Sequence, residues 1–192
     1  MKTFPFVCAF LLIGCTGHTY EVEDPTIGEA MWFKPFTRTD TFIYVSDQGE
    51  HDSIVFHAPT TTTDSTRDPE QGSSNTTYWT VNYELTMGSF HQFAMMSDGA
   101  QRYDHDFVNV YKSSAGYGSL EIDFIGTLFS DSIENVQELN DSTYFLDSRR
   151  ADYDGMNVEQ GVNSFTFHTR RGVIAFVDDR NVNWMLVKGN NN

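Results

Sequence analysis

Cysteine is nearly missing from this chain: the 192 residues hold two, Cys8 and Cys15, both close to the start. Everything after position 15 therefore lacks thiol and disulfide alike, so no cysteine nucleophile is available there and core packing alone must hold the fold. Cations are scarce too, 12 Lys and Arg against 27 Asp and Glu, for a net charge of −15. A surface so acidic repels phosphate backbones and anionic headgroups, which argues against nucleic-acid binding and against electrostatic membrane attachment. No G-x-S-x-G, H-E-x-x-H or P-loop pattern occurs, and the histidines at 18, 51, 57, 91, 105 and 168 show no ligand-like pairing. These absences leave catalysis without positive support and call for no metal and no cofactor, although a carboxylate hydrolase needs no such motif.

The first fifteen residues carry the sharpest signal that is present. Met1-Lys2 is followed by a nearly all-apolar stretch from Phe4 to Ile13 and then Gly14-Cys15. That is a short charged region, a hydrophobic region of signal-peptide length, too short to span a bilayer, and a small residue before a cut. The run Leu12-Ile13-Gly14-Cys15 resembles the lipobox of bacterial lipoproteins. The resemblance implies that residues 1–14 are a signal peptide, that Cys15 is lipidated and becomes the first mature residue, and that acyl chains hold the protein in the bacterial envelope, at the outer membrane. Each buried methylene contributes roughly 0.8 kcal/mol, and stable attachment takes more than one chain. Residues 15–28 then read as acylated N-terminus and polar tether, and residues 29–189 as a single β domain.

Beyond the tether the pattern is one of strands. Pro25 to Phe36 contains Met31-Trp32-Phe33, expected to dock on the core. Thr41 to Ser46 and Ser53 to Phe56 flank Gln48-Gly49 as a hairpin. The clearest strand places Trp79, Val81, Tyr83, Leu85 and Met87 on one face and Thr80, Asn82, Glu84 and Thr86 on the other. Phe90 to Met96, Phe107 to Tyr111, Leu120 to Phe129, Tyr144 to Leu146, Phe165 to Phe167, Val173 to Val177 and Val182 to Leu186 continue the series. Turns are expected at Ser97-Asp98-Gly99, at Gly116 and Gly118, and at Asp152-Tyr153-Asp154-Gly155, while Ile133 to Leu139 fits a helical turn as well as a strand. About nine or ten short strands result. One segment breaks the rhythm: residues 58–77, with Pro59, four consecutive threonines, Pro69 and Gly72, are expected to form a long flexible loop. The expected fold is all-β, an antiparallel β-sandwich or barrel-like meander, with a closed lipocalin-like barrel as the alternative.

Several constellations are candidates for chemistry. Tyr103-Asp104-His105-Asp106 is the densest polar cluster, and Asp104 and Asp106 share a strand face, but an acidic strand end facing water explains it better than a cation site. Asp152 to Asn157 lacks the full calcium-loop run and its closing glutamate, and reads as a turn. Glu121 and Asp123 are the pair a carboxylate hydrolase would use, yet both lie on the same face of one strand. Tyr78, Tyr103, Tyr111 and Tyr117 are candidate platforms for sugar rings. Trp79, Phe124 and Trp184 would line the cavity of an apolar-ligand carrier.

The tripeptides beginning at Asp52, Asp64, Asp131 and Asp141 are similar to the O-glycosylation acceptor of exported Bacteroidota proteins, and Ser65, in the expected loop, is the attractive acceptor. The ending from Phe165 to Leu186, with Thr169-Arg170-Arg171-Gly172-Val173-Ile174 and then Asn183-Trp184-Met185-Leu186, looks like the close of many Bacteroidota-type envelope lipoproteins. With the lipobox, that resemblance covers the two ends of the chain and carries over no catalytic residue. Arg170 and Arg171 are expected to pair on the surface with Asp178 and Asp179. The function this reading expects is that of a membrane-anchored, non-enzymatic binding or structural module whose partner is a glycan or an envelope protein. An apolar-ligand carrier, and below it a carboxylate hydrolase, are the alternatives.

Overall fold

The computed structural model of the protein describes residues 21–68, 72–85, 104–125, 127–130, 136–147 and 161–189. The lipobox with Cys15, the Phe90 to Met96 segment, the Ser97-Asp98-Gly99 turn, Tyr103, the tripeptide beginning at Asp131 and the Asp152 to Asn157 turn lie outside the described residues. The fold is all-β: among the described residues there are twelve strands in one antiparallel sheet and one short helix, α1 (Ile27–Ala30).

Alternation builds the sheet. In β1 (Asp40–Ser46), Phe42, Tyr44 and Ser46 are buried while Ile43 and Val45 face out, and β2 (His51–Phe56) answers with buried Asp52, Ile54 and Phe56. Their turn needs Gly49, whose φ of 82° a side chain would strain.

The segment expected to be a loop is instead paired. β3 (Thr60–Asp68) and β4 (Gly72–Leu85) form an antiparallel hairpin from Thr60 opposite Thr80 to Asp68 opposite Gly72. Threonine is a strand former, and hydroxyls join the two strands: Thr63 Oγ1 lies 3.0 Å from Thr77 Oγ1, and Thr66 Oγ1 lies 2.8 Å from Ser74 Oγ. Polar side chains on both faces hid the strand, because there was no apolar alternation to read.

The remaining strands are β5 (Asp104–Ser113), β6 (Gly118–Phe124), β7 (Thr127–Ser130), β8 (Val136–Asn140), β9 (Thr143–Asp147), β10 (Val162–His168), β11 (Gly172–Asp178) and β12 (Asn183–Lys188). They lie in the order β7-β6-β5-β4-β2-β1-β12-β11-β10-β9-β8, with β3 beside β4. The count exceeds nine or ten for identifiable reasons. The supposed loop supplies β3. Leu120 to Phe129 is divided at Ile125, which takes a φ of 49° and donates its N–H to Tyr83 Oη at 2.8 Å. The ambiguous stretch ending at Leu139 contributes β8 as a strand.

The two ends of this order curl toward each other. Phe124 of β6 meets Phe165 of β10 and Phe176 of β11 at ring-centroid distances of 5.4 and 5.3 Å, and Phe129 of β7 meets Phe165 at 4.7 Å. Val162 N donates to Thr127 Oγ1 at 2.9 Å. The sheet is nevertheless open, with β7 and β8 at its edges, so the closed-barrel alternative does not hold. Side chains, not a ladder, bridge the seam among the described residues, and β8 is exposed along most of its length. Trp32 and Phe36, just after α1, plug the interior: Trp32 lies 4.4 Å from Phe167, and Phe36 lies 4.8 Å from Phe56. The expected docking of this segment is observed.

Candidate functional site

The tyrosines nominated as platforms come together. In the β4–β5 ladder Tyr78 stands directly opposite Tyr111, so both rings share the outer face. Their centroids are 6.2 Å apart, and Tyr117, in the β5–β6 turn, adds a third ring 6.5 Å from Tyr111 in an edge-on arrangement. Tyr78 and Tyr111 are half-buried and Tyr117 is 58% exposed. The face continues in polar groups, with Asn109 between Thr80 and Glu121 in register.

A groove of about 340 Å³ opens beside Tyr117, lined by Glu21, Glu23, Lys112, Ser113 and Ser114. That volume lies in the range of small-ligand sites, roughly 300–1,000 Å³. Its floor is the turn itself. Gly116 has a φ of 86°, and a Cβ on Gly118 would come within 2.7 Å of the Tyr111 carbonyl, so both glycines are required by the backbone. Asn75 of β4 braces the turn by accepting the N–H of Ser114 at 2.8 Å on its carbonyl oxygen and donating its own N–H to Ser114 Oγ at 3.0 Å.

The groove's charge is set by who holds Lys112. Its ammonium lies 2.7 Å from Glu29 Oε1, and both groups are largely buried. Glu29 also completes a capping box, accepting from Thr26 N at 2.7 Å while Glu29 N donates to Thr26 Oγ1. Burial works to raise the Glu29 pKa, but Lys112 and the Thr26 donors outweigh it, and the carboxyl sits below its ordinary value. Lys112 is thereby neutralised, leaving the carboxylates of Glu21 and Glu23 as acceptors beside an exposed ring. Such a set can accept hydroxyl donors and stack on a C–H face, and it disfavours anions.

Other nominated residues fall elsewhere. Ser65 is on β3, exposed, and donates to Asn75 Oδ1 at 2.8 Å. Glu121 and Asp123 occupy the outer face of β6, alternating with buried Leu120, Ile122 and Phe124. Asp104 and Asp106 stand opposite Glu84 and Asn82, and Glu84 Oε1 lies 3.2 Å from His57 Nε2. Among the described residues no group of three His, Cys, Asp or Glu is placed to hold a metal ion. Phe124 and Trp184 are fully buried against other rings, Trp184 stacking on Phe176 at 5.9 Å, while Trp79 is half-buried. The expected partners of Asp178 are corrected: it is buried and bound by Arg180, at 2.7 Å from Nη2, whereas Arg170 and Arg171 are exposed. The reason is local, since the turn after β11 folds Arg180 back over its neighbour.

Sequence reasoning missed Glu21, Glu23 and Lys112. Only the two glycines signalled the turn, and nothing along the chain announced that residues 21–23 would lie against it. Comparison with protein families, with curated proteins and with solved structures finds no match to this chain.

Proposed function

We propose that the protein is a lipid-anchored lipoprotein of the bacterial envelope, held at the outer membrane through Cys15, whose β domain is a non-enzymatic module that binds a neutral saccharide. The observation that carries the binding reading is the convergence of Tyr78, Tyr111 and Tyr117 on one outer face, beside a groove offering carboxylates and hydroxyls. Sugar rings present apolar C–H faces and hydroxyl edges, and this site matches both. The rings inside the sheet pack on one another, which favours a filled core over an apolar-ligand carrier.

A glycan array probed with the full chain tests the binding reading, with Tyr117→Ala and Tyr111→Ala as the diagnostic variants. Binding to neutral glycans that both substitutions weaken supports it; no glycan bound, or binding indifferent to both, overturns it. Anchoring is tested separately. Labelled palmitate is expected in the native protein and absent from Cys15→Ala, which should leave the membrane fraction; equal partitioning of the two would refute the anchor.

A further inference from the structure

Antiparallel pairing throughout the sheet fixes the end at which each strand starts and stops. β5, β8, β10 and β12 all run toward one end, where β1, β4, β6, β9 and β11 begin. Glu21 and Glu23 meet the β5–β6 turn there, and α1 is fastened at the same end by Glu29 on Lys112. Cys15 lies six residues before Glu21. Whatever path the chain takes, a span of that length reaches at most about 20 Å. An acyl-bearing Cys15 therefore holds the groove beside Tyr117 close to the bilayer.

Charge and shape agree with that orientation. Lys34 and Arg38 before β1, Arg170 and Arg171 in the β10–β11 turn and Lys188 at the close of β12 are exposed at the tethered end. Toward the opposite end lie Asp47, Glu50, Asp178 and Asp179, where Arg180 is the one Lys or Arg among the described residues. Carboxylates occur at the tethered end too, Glu21 and Glu23 among them, but there cations accompany them. The pole least repelled by lipid headgroups is thus the one the anchor brings to them. Past the rung of Thr76 and Ser113, the β3–β4 hairpin continues toward the bilayer side for four more residues of β4, to Gly72, about 13 Å. The hairpin spaces the groove off the lipid by the height of a short oligosaccharide.

We infer, building on the anchored saccharide-binding reading above, that the ligand is the sugar headgroup of a neutral glycolipid in the anchor's own leaflet, bound in the groove beside Tyr117. A free polysaccharide offers the same C–H faces and hydroxyls, and position separates the two sources. A short tether gives a ligand in the same membrane an effective concentration of about millimolar, without any further contact. A shallow groove then suffices for that ligand. A soluble chain gains nothing from the tether and must enter between the hairpin and the bilayer.

Two measurements on the lipidated full chain in phosphatidylcholine vesicles test this. The first needs no ligand: a dye on Ala115→Cys, in the β5–β6 turn, should transfer energy to a headgroup-labelled lipid several times more efficiently than a dye on Gln48→Cys, at the opposite end. In the second, the neutral saccharides of the glycan array are presented as synthetic glycolipids, either in the protein's own vesicles or in separate ones, with photo-crosslinking as the readout. Capture is expected in the shared vesicles and should be at least tenfold lower from separate ones. A Gly/Ser linker of about twenty residues inserted before Glu21 should weaken capture in the shared vesicles roughly tenfold, because effective concentration falls with about the −3/2 power of tether length. Equal energy transfer from both positions, capture from separate vesicles as good as from shared ones, or indifference to the linker would overturn the inference while leaving saccharide binding intact. An empty array and no capture in either presentation would remove the saccharide reading and this assignment together, and absence of palmitate from the native protein would remove the anchor.

Discussion

The indole N–H of Trp184 donates to Oδ2 of the buried Asp178 at 3.1 Å, the same oxygen that takes Arg180 Nη2 at 2.7 Å. Asp178 Oδ1 meanwhile accepts the backbone N–H groups of Arg180 and Val182 at 2.9 and 3.0 Å. One carboxylate therefore ties a core ring to the turn between β11 and β12. Replacing it by alanine would leave a buried indole N–H and a buried amide unpaired. Asp178→Ala is expected to cost about 3–5 kcal/mol of stability, read as a lower urea midpoint with an unchanged slope.

Tyr83 has a similar role at the β6–β7 corner. Its hydroxyl is the acceptor for the N–H of Ile125, a β-branched residue held at positive φ. Tyr83→Phe keeps the ring and orphans that amide, so a loss of about 1–3 kcal/mol is expected. Amide exchange at Ile125 should accelerate by more than at Val110, in the middle of the sheet.

Glu29 makes the stability dependent on acid. Its folded pKa lies below the ordinary carboxyl value of 4.5, with burial opposing the shift and Lys112 and Thr26 producing it. A depressed carboxyl contributes stability that is fully present above the unfolded pKa and is lost as pH falls through the folded one. The difference in urea midpoint between the wild type and Glu29→Gln should accordingly be largest at neutral pH and shrink below pH 4.5. A difference that grew on acidification would refute this assignment.

Tyr117 should separate binding from folding. Its ring is mainly in solvent, so Tyr117→Ala should change stability by less than about 0.5 kcal/mol. If the ring stacks on a sugar, the same change should weaken glycan binding by roughly 1 kcal/mol or more, a loss of about fivefold. Excising residues 60–75 would not serve this purpose, since that removes β3 and the start of β4. It should abolish cooperative unfolding altogether.

How far the chain could be read depended on whether information was local. β4 was legible from Trp79 to Leu85 because one of its faces is wet and the other dry, and Val81 and Tyr83 are indeed buried. β3 was illegible because threonines line both of its faces, and its reason to be a strand is the partner opposite, not its own pattern. Tyr78, Tyr111 and Tyr117 were legible as residue types; that they meet depends on a register set by tertiary pairing. Glu21 and Glu23 reach the turn at Gly116 across about ninety residues of chain, and no spacing rule reports such a distance. Arg180 displaced Arg170 and Arg171 as the partner of Asp178 because a turn, not a face, brings the charges together.

β4 is hydrogen-bonded to β2 through Tyr83 to Leu85, to β3 through Gly72 to Thr80 and to β5 through Thr76 to Glu84. A pull directed along this strand strains all three ladders at once, in shear, instead of peeling one rung after another. The hairpin of β3 and β4 is on that account a stiff spar rooted in the open sheet, able to pass tension from its outer end to the aromatic interior without first coming apart.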